Sequence, residues 1–146
     1  MTTERNIRVL VADDDPEAAA VLVQYLKRAG VSSSQVTVVN RGDLAMAALD
    51  DNPDLAIVDL TMPRVSGADV VREAQRRGIP AHLVTTRTPL SKADAKECRP
   101  KTALPMLTSQ WVFDACFRKM EQKARKKANN TGSWWSSAVS TLWGAM

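Results

Sequence analysis

The sequence predicts an α/β protein with a doubly wound, five-stranded parallel sheet and helices on both faces. Short apolar runs rich in Val and Ile alternate with amphipathic segments, as in consecutive β/α units, and two of these runs end in carboxylates. The chain has 146 residues and is 45% hydrophobic, which suits one domain with its own core. We expect a cytoplasmic protein, because no apolar run reaches the length of a membrane span and residues 1–6 are polar.

The alternation predicts five strands and five helices. The strands are predicted near 7–12, 35–39, 54–59, 80–85 and 103–108. The helices are predicted near 16–29, 42–51, 66–77, 91–99 and 110–128. Asp15 suits the N-cap of the first helix, with Pro16 at its first position. Gly30 and Gly78 mark the ends of the first and third helices.

Acidic residues follow the first and third predicted strands. Asp13, Asp14 and Asp15 come after the run 7–12, and Asp59 ends the run 54–59 before a turn rich in Pro, Ser and Gly. In open parallel sheets, ligands bind beyond the carboxyl ends of the strands. Each acid alone is explained as a strand-end turn or a helix cap. The two motifs together favour an oxygen-rich site suited to Mg²⁺.

These motifs resemble the receiver domain of two-component response regulators. The resemblance rests on segments 9–16, 59–67 and 79–86 and covers roughly residues 5–127. It implies a flavodoxin-like fold and a single-domain response regulator that receives a phosphoryl group in a Mg²⁺-dependent reaction. The implied upstream partner is a histidine kinase or a phosphotransfer protein.

The resemblance also implies a role for each matching residue. Asp59 corresponds to the phosphoacceptor. Asp14 and Asp59 correspond to Mg²⁺ ligands, with Asp13 acting through water and Thr61 through its backbone carbonyl. Thr85 corresponds to the hydroxyl that follows the phosphoryl group when the domain switches. The chemistry agrees, because an aspartate can form an acyl phosphate and Mg²⁺ offsets the charge of the acidic cluster.

Receivers also carry a lysine at the end of the fifth strand. With that strand at 103–108, Ser109 takes the lysine position and Met106 takes the aromatic switch position three residues earlier. Lys101 then lies before the strand, at its wrong end. A missing ammonium removes a charge-assisted contact to phosphate. A phosphorylation-independent pseudo-receiver scaffold therefore stays open as an alternative.

The second half of the chain also weakly resembles the second half of a BRCT domain, an interaction module. The resemblance lies in segment 81–86 and in the spacing of Trp111 and Cys116. The simpler alternative is that both pack on the sheet from the last helix. Two cysteines are too few for a disulfide framework or a zinc site, which fits a reducing compartment. We expect no enzyme activity, because no nucleophile–base pair accompanies Asp59.

The C-terminal residues differ in character from the rest. We predict a receiver domain over 5–128, a linker over 129–132 and an amphipathic tail over 133–146. Wound as a helix, the tail places its apolar residues on one half of the wheel and only uncharged polar residues on the other. The apolar half comprises Trp134, Trp135, Ala138, Val139, Leu142, Trp143 and Met146.

The tail has several interpretations that the sequence leaves open. It packs on its own domain, remains disordered, lies in a membrane interface, or docks in the groove of a downstream protein partner. Much of the net charge of +4 lies in the basic stretch 118–127. That stretch is either a solvated helix end or a patch for anionic lipid or nucleic acid. We expect output by protein contact or localisation, with peripheral membrane attachment through 133–146 as an alternative and no specific DNA binding.

Overall fold

A computed structural model describes residues 6–86, Lys92, Lys96 and 98–131, with the side chains of residues 102, 130 and 131 left aside. It contains one five-stranded parallel sheet with helices on both faces, as predicted. The strands are β1 (Val9–Ala12), β2 (Val36–Val39), β3 (Leu55–Asp59), β4 (Ala81–Thr85) and β5 (Cys98–Pro100). The helices are α1 (Pro16–Arg28), α2 (Gly42–Ala48), α3 (Gly67–Arg76) and α4 (Leu104–Thr131). Short 3₁₀ turns lie at Ser33–Gln35, Leu49–Asp51 and Lys101–Ala103.

The strand order in the sheet is β2-β1-β3-β4-β5, and every pairing is parallel. β1 and β3 are neighbours in the centre, and all their residues are buried. This explains why both strands read as unbroken apolar runs instead of alternating ones, since each is covered on both faces. The order also sets the carboxyl ends of β1, β3, β4 and β5 along one edge.

The helices divide between the two faces of the sheet. One core cluster contains residues of α1 and α4, and the other contains residues of α2 and α3. On the first face, Leu22 and Leu26 of α1 and Trp111 and Val112 of α4 pack on the sheet. This two-sided covering is the doubly wound arrangement that the sequence predicts.

The predicted start of α1 and the predicted glycines after α1 and α3 are confirmed. Asp15 caps α1, because its Oδ1 accepts a hydrogen bond from the backbone N–H of Glu17 at 3.0 Å. Pro16 is the first residue of that helix. Gly30 and Gly78 follow α1 and α3 with φ angles of 97° and 75°, which favour glycine.

The prediction for the fifth strand is wrong. The strand is β5, Cys98–Pro100, and residues 103–108 lie in a 3₁₀ turn and in α4. The buried residues of α4 follow a helical period from its first residue: Leu104, Thr108, Trp111, Val112 and Ala115. Pro105 is the second residue of the helix, where its missing N–H has no cost. The apolar run was therefore the first turn of a helix.

The boundaries of the last segments also differ from the predicted ones. α4 begins at Leu104 instead of 110 and continues to Thr131, three residues into the predicted linker. Most of the predicted helix 91–99 and the whole tail 133–146 lie outside the described residues, and residues 98 and 99 belong to β5. Within the described part of the chain, no helix is long and apolar enough to cross a membrane.

Candidate functional site

Three carboxylates meet at the edge where β1 and β3 end. Asp59 is the last residue of β3, and Asp13 follows the last residue of β1, its neighbour in the sheet. Ligand oxygens of Asp13, Asp14 and Asp59 all lie within 4.8 Å of one another. Asp13 and Asp59 are buried, at 4% and 6% exposure, whereas Asp14 is open to solvent. We call these three residues the acidic edge.

Backbone hydrogen bonds hold the first carboxylate in place. The Asp13 N–H donates to the carbonyl of Val39 at 3.0 Å, which extends the β1–β2 ladder by one residue. The N–H of Asp15 donates to Asp13 Oδ1 at 3.0 Å. Asp15 in turn caps α1. The Asp13 carboxylate is thus fixed between the end of the strand and the start of the helix.

The loop between β3 and α3 is held close to the acidic edge by two glycines. The N–H of Gly67 donates to the carbonyl of Leu60 at 3.1 Å. A Cβ on Gly67 would lie 1.9 Å from the carbonyl oxygen of Asp59, and one on Gly42 would lie 1.8 Å from that of Val65. Only glycine allows backbone to approach this closely. The two glycines therefore set the path of the chain that leaves Asp59.

Lys101 completes the charge distribution of the site. Its Nζ lies 2.7 Å from Asp13 Oδ2 and 3.4 Å from Asp59 Oδ1. The side chain is largely buried, at 14% exposure. Because β5 ends at Pro100, Lys101 lies directly beyond the carboxyl end of that strand. The site therefore has an ammonium that the sequence analysis did not assign to it.

This position corrects the earlier alignment of Ser109 with the lysine of the family. Ser109 and Met106 lie on exposed positions of α4, whereas Lys101 follows the strand. The residue three positions before Lys101 is Cys98, which is buried in β5. A signal for Lys101 was present, because a Pro-Lys pair ends the segment between β4 and the helical period that starts at Leu104. A three-residue strand was too short to show a period of its own.

Burial and charge shift the proton affinities of the site. Burial raises the pKa of Asp59 to about 6, the neighbouring charge of Asp13 adds to the effect, and Lys101 opposes it. Burial favours the neutral amine of Lys101. The hydrogen bond to Asp13 and the charge of Asp59 outweigh burial, so that the pKa of Lys101 is raised. The ammonium and the carboxylates stabilise one another in a partly desolvated site.

Two further predicted residues lie at the same edge. Thr85 is the last residue of β4 and is buried, at 3% exposure. Its predecessor Val84 is paired in register with Asp59, so Thr85 lies one position beyond Asp59 on the neighbouring strand. Thr61 is exposed in the loop two residues after Asp59. All five residues of the predicted site thus belong to the edge formed by β1, β3 and β4.

The donor set fits a hard divalent cation. Three carboxylates offer oxygen ligands, which Mg²⁺ prefers. The exposure of Asp14 leaves one side open to water, and Mg²⁺ keeps several waters in most protein sites. A buried carboxylate, a place for a cation and a lysine ammonium are together suited to holding a phosphoryl group.

Known proteins with similar sequences include response regulators, in agreement with the acidic edge and Lys101. The family model described as "Response regulator receiver domain" matches residues 9–108. The transcriptional regulatory protein CpxR of Klebsiella pneumoniae is 35% identical over 81 residues, which cover 55% of this chain and 34% of that protein. The DNA-binding response regulator MtrA of Mycolicibacterium smegmatis is 35% identical over 83 residues, 56% of this chain and 35% of that protein. The chain therefore spans only about a third of the length of these two relatives.

Solved structures show the same fold. The receiver domain of the Francisella response regulator 1452 has a TM-score of 0.64 and 20% identity, covering 78% of this chain and 99% of that one. A response regulator receiver domain protein from Clostridium thermocellum also has a TM-score of 0.64 and 20% identity, covering 80% of this chain and 98% of that one. At this level of identity the likeness shows the fold alone.

Proposed function

Because this chain belongs to the response regulator receiver domain family, we propose that Asp59 accepts a phosphoryl group from a phosphohistidine of a histidine kinase or a phosphotransfer protein. One carboxylate oxygen of Asp59 attacks phosphorus, and an O–P bond forms. The N–P bond to the imidazole breaks, and its electron pair stays on the imidazole nitrogen. The product is an acyl phosphate on Asp59.

The observation that carries this proposal is the position of Lys101 Nζ between two carboxylates of the acidic edge. It lies 2.7 Å from Asp13 and 3.4 Å from Asp59. An ammonium there offsets the repulsion between Asp13 and an incoming phosphate and offers a charge-assisted hydrogen bond to a phosphoryl oxygen. The high pKa of Lys101 keeps this side chain charged at neutral pH.

The acidic edge would hold Mg²⁺, with Asp14 and Asp59 as direct ligands, Asp13 through water and Thr61 through its carbonyl. When bound, the ion neutralises charge on the phosphoryl oxygens during transfer. The residues of the chain position the acids that hold the ion. The β1 and β3 strand ends position the acids, and the glycine-lined loop after Asp59 keeps its carboxylate at the edge.

The response to phosphorylation would begin at Thr85. Thr85 is buried at the end of β4, the strand that pairs with the Asp59 strand β3. Its hydroxyl is therefore suited to hydrogen-bond a phosphoryl oxygen on Asp59. The output we propose is protein contact or a change of localisation. DNA binding is named for MtrA, a protein of which this chain matches about a third. We do not extend that activity to this chain.

The test is intact-mass analysis after incubation with Mg²⁺ and a small phosphodonor such as acetyl phosphate. We expect one added phosphoryl group in the wild type and none in Asp59→Asn. The matched control is Asp15→Asn, which changes a neighbouring acid but keeps an N-cap residue. Labelling that persists in Asp59→Asn would place the acceptor elsewhere.

The alternative, a pseudo-receiver that never takes up phosphate, rested on the missing lysine at Ser109. Lys101 removes that reason, because it supplies an ammonium at the acidic edge. The alternative would regain support if the wild type showed no acyl phosphate with any donor in saturating Mg²⁺.

A further inference from the structure

The two outer strands of the sheet, β2 and β5, differ in how their free edges are protected. The last two residues of β5, Arg99 and Pro100, are exposed. A charged side chain and a proline on an outer strand discourage pairing with a further strand. β2 has neither, because residues 29–40 contain no charged residue and no proline. The β2 edge therefore lacks the residues that usually keep an outer strand from pairing.

The backbone groups on the outer side of β2 belong to alternate residues. The carbonyl of Val39 accepts a hydrogen bond from the N–H of Asp13, which lies on the β1 side. Because the backbone groups of successive strand residues point in opposite directions, Val38 directs its N–H and its carbonyl away from β1. The same alternation places the carbonyl of Val36 and the N–H of Asn40 on the outer side. The N–H of Val36 donates to the 3₁₀ turn before the strand.

The side chains of this strand are open to solvent. Val38 is 48% exposed, and Thr37 and Asn40 are exposed as well. β2 stands at the end of the strand order, with β1 on its inner side. An exposed valine between outward backbone groups is the surface that a further extended strand would cover.

We propose that β2 pairs with β2 of a second copy of this chain, antiparallel and with the two Val38 residues opposite each other on a two-fold axis. In this register each Val38 N–H donates to the carbonyl of the partner's Val38. Each Asn40 N–H donates to the carbonyl of the partner's Val36. The Val36 N–H is already bonded within its own chain. The outward groups of β2 are therefore complementary to themselves, as a two-fold interface requires.

The charges at the end of the strand favour a second copy as the occupant. Arg41, the first charged residue after β2, pairs with Asp43 of its own chain at 3.0 Å. In the proposed register Arg41 lies opposite the partner's Gln35, which is uncharged. The two Arg41 residues then lie about 20 Å apart along the strands, beyond the screening length of about 8 Å at physiological ionic strength. Pairing brings no like charges of this segment together, and residues 32–40 offer no charge that would select a different partner.

The contact is short, so the dimer should be weak. β2 has four residues, whereas stable protein interfaces usually bury about 1,200–2,000 Å². The two valines on the axis would supply most of the apolar contact. We therefore expect pairing to appear as the protein concentration rises.

The first experiment is sedimentation equilibrium of the full chain from about 1 µM to about 1 mM. We expect the mass to approach twice that of the monomer at the upper end. Val38→Lys places two ammonium groups opposite each other and should keep the protein monomeric. The matched control is Val21→Lys, the same change on α1 at a residue that is 47% exposed, which should dimerise like the wild type. Circular dichroism checks that each variant is folded.

A charge swap tests the register. Val38→Glu alone should also stay monomeric. An equimolar mixture of Val38→Lys and Val38→Glu should dimerise, because a lysine then meets a glutamate across the axis. In the wild type, amide hydrogen exchange at Val38 and Asn40 should slow as the concentration rises. Exchange at Thr37 and Val39, whose N–H groups face β1, should not change.

Three results would overturn the proposal. A wild type that stays monomeric at the highest concentration would show that the β2 edge does not pair with itself. A dimer that persists in Val38→Lys would place the interface elsewhere on the molecule. A mixture of the two charged variants that stays monomeric would exclude the register centred on Val38.

Discussion

At the scale of single residues, the charge balance of the acidic edge depends on Lys101. Two buried carboxylates within 4.8 Å repel each other, and burial raises the pKa of Asp59 to about 6. The Lys101 ammonium lies between Asp13 and Asp59 and lowers that repulsion. A bound divalent cation would act on the same charges. The ammonium and the cation are therefore partly interchangeable for stability.

Lys101→Met should destabilise the metal-free protein by roughly 2–4 kcal/mol, because it leaves two buried carboxylates without a cation. Mg²⁺ should restore more stability to this variant than to the wild type. The measurement is urea unfolding with EDTA and with Mg²⁺. Ser109→Lys is the control, since Ser109 is exposed on α4 and its lysine should change neither stability nor the Mg²⁺ response. Equal Mg²⁺ responses of wild type and Lys101→Met would contradict the assignment.

Away from the acidic edge, the buried ring of His82 should make the stability of the protein depend on pH. Its ring stacks on Trp111 with centroids 4.4 Å apart and planes 9° from parallel. Burial lowers the pKa of His82 to about 4, with the charge of Arg99 adding to the effect and Asp114 opposing it. Between pH 6.5 and 4 the unfolded chain therefore binds a proton that the folded chain does not. The free energy of unfolding falls as pH decreases through this range.

His82→Phe keeps a stacked ring but removes the titration. Its free energy of unfolding should depend less on pH between 7 and 4 than that of the wild type, with a difference of up to about 3 kcal/mol. Urea unfolding at several pH values measures this. Identical pH profiles would show that the pKa of His82 is the same in the folded and the unfolded chain.

At the scale of elements, close backbone approach positions the acidic edge. Asp59 is followed by a loop that returns to α3, and α3 begins where Gly67 meets the Asp59 carbonyl. Ser66 caps this helix through a hydrogen bond from the N–H of Asp69 at 3.3 Å. The strand end and the helix start are thus one packed unit.

Gly67→Ala should therefore disturb Asp59 itself. An added Cβ would lie 1.9 Å from the Asp59 carbonyl oxygen, so the backbone must move. We expect a loss of stability of roughly 2–3 kcal/mol, typical of overpacking, together with slower phosphorylation. Gly78→Ala is the control. It meets no atom within 4 Å, and its φ of 75° should cost only about 1 kcal/mol with no effect on phosphorylation. An intact labelling rate in Gly67→Ala would show that the loop is not needed to place the carboxylate.

At the scale of the whole molecule, the site combines residues far apart in the chain. Asp13 follows β1, Asp59 ends β3, and Lys101 follows β5. Parallel pairing brings all three strand ends to one edge.

Deletion of residues 132–146 should leave phosphorylation of Asp59 unchanged, because every residue of the site lies between 13 and 101. Intact-mass analysis over time measures the labelling rate of the truncated and the full chain. A labelling rate that falls with the deletion would couple the tail to the site.

The sequence alone was sufficient for the fold class, for four of the five strands, and for the acids at the ends of β1 and β3. These features depend on local signals, such as unbroken apolar runs, helix caps and glycines after helices. Only the tertiary structure decided the place of Lys101 and the end of the sheet. β5 has three residues, and its identity comes from pairing with β4, as when Thr85 lies opposite Pro100. An apolar run as short as 103–108 is compatible with either a strand or a helix. Its packing against the sheet decided that residues 104–108 form the first turns of α4.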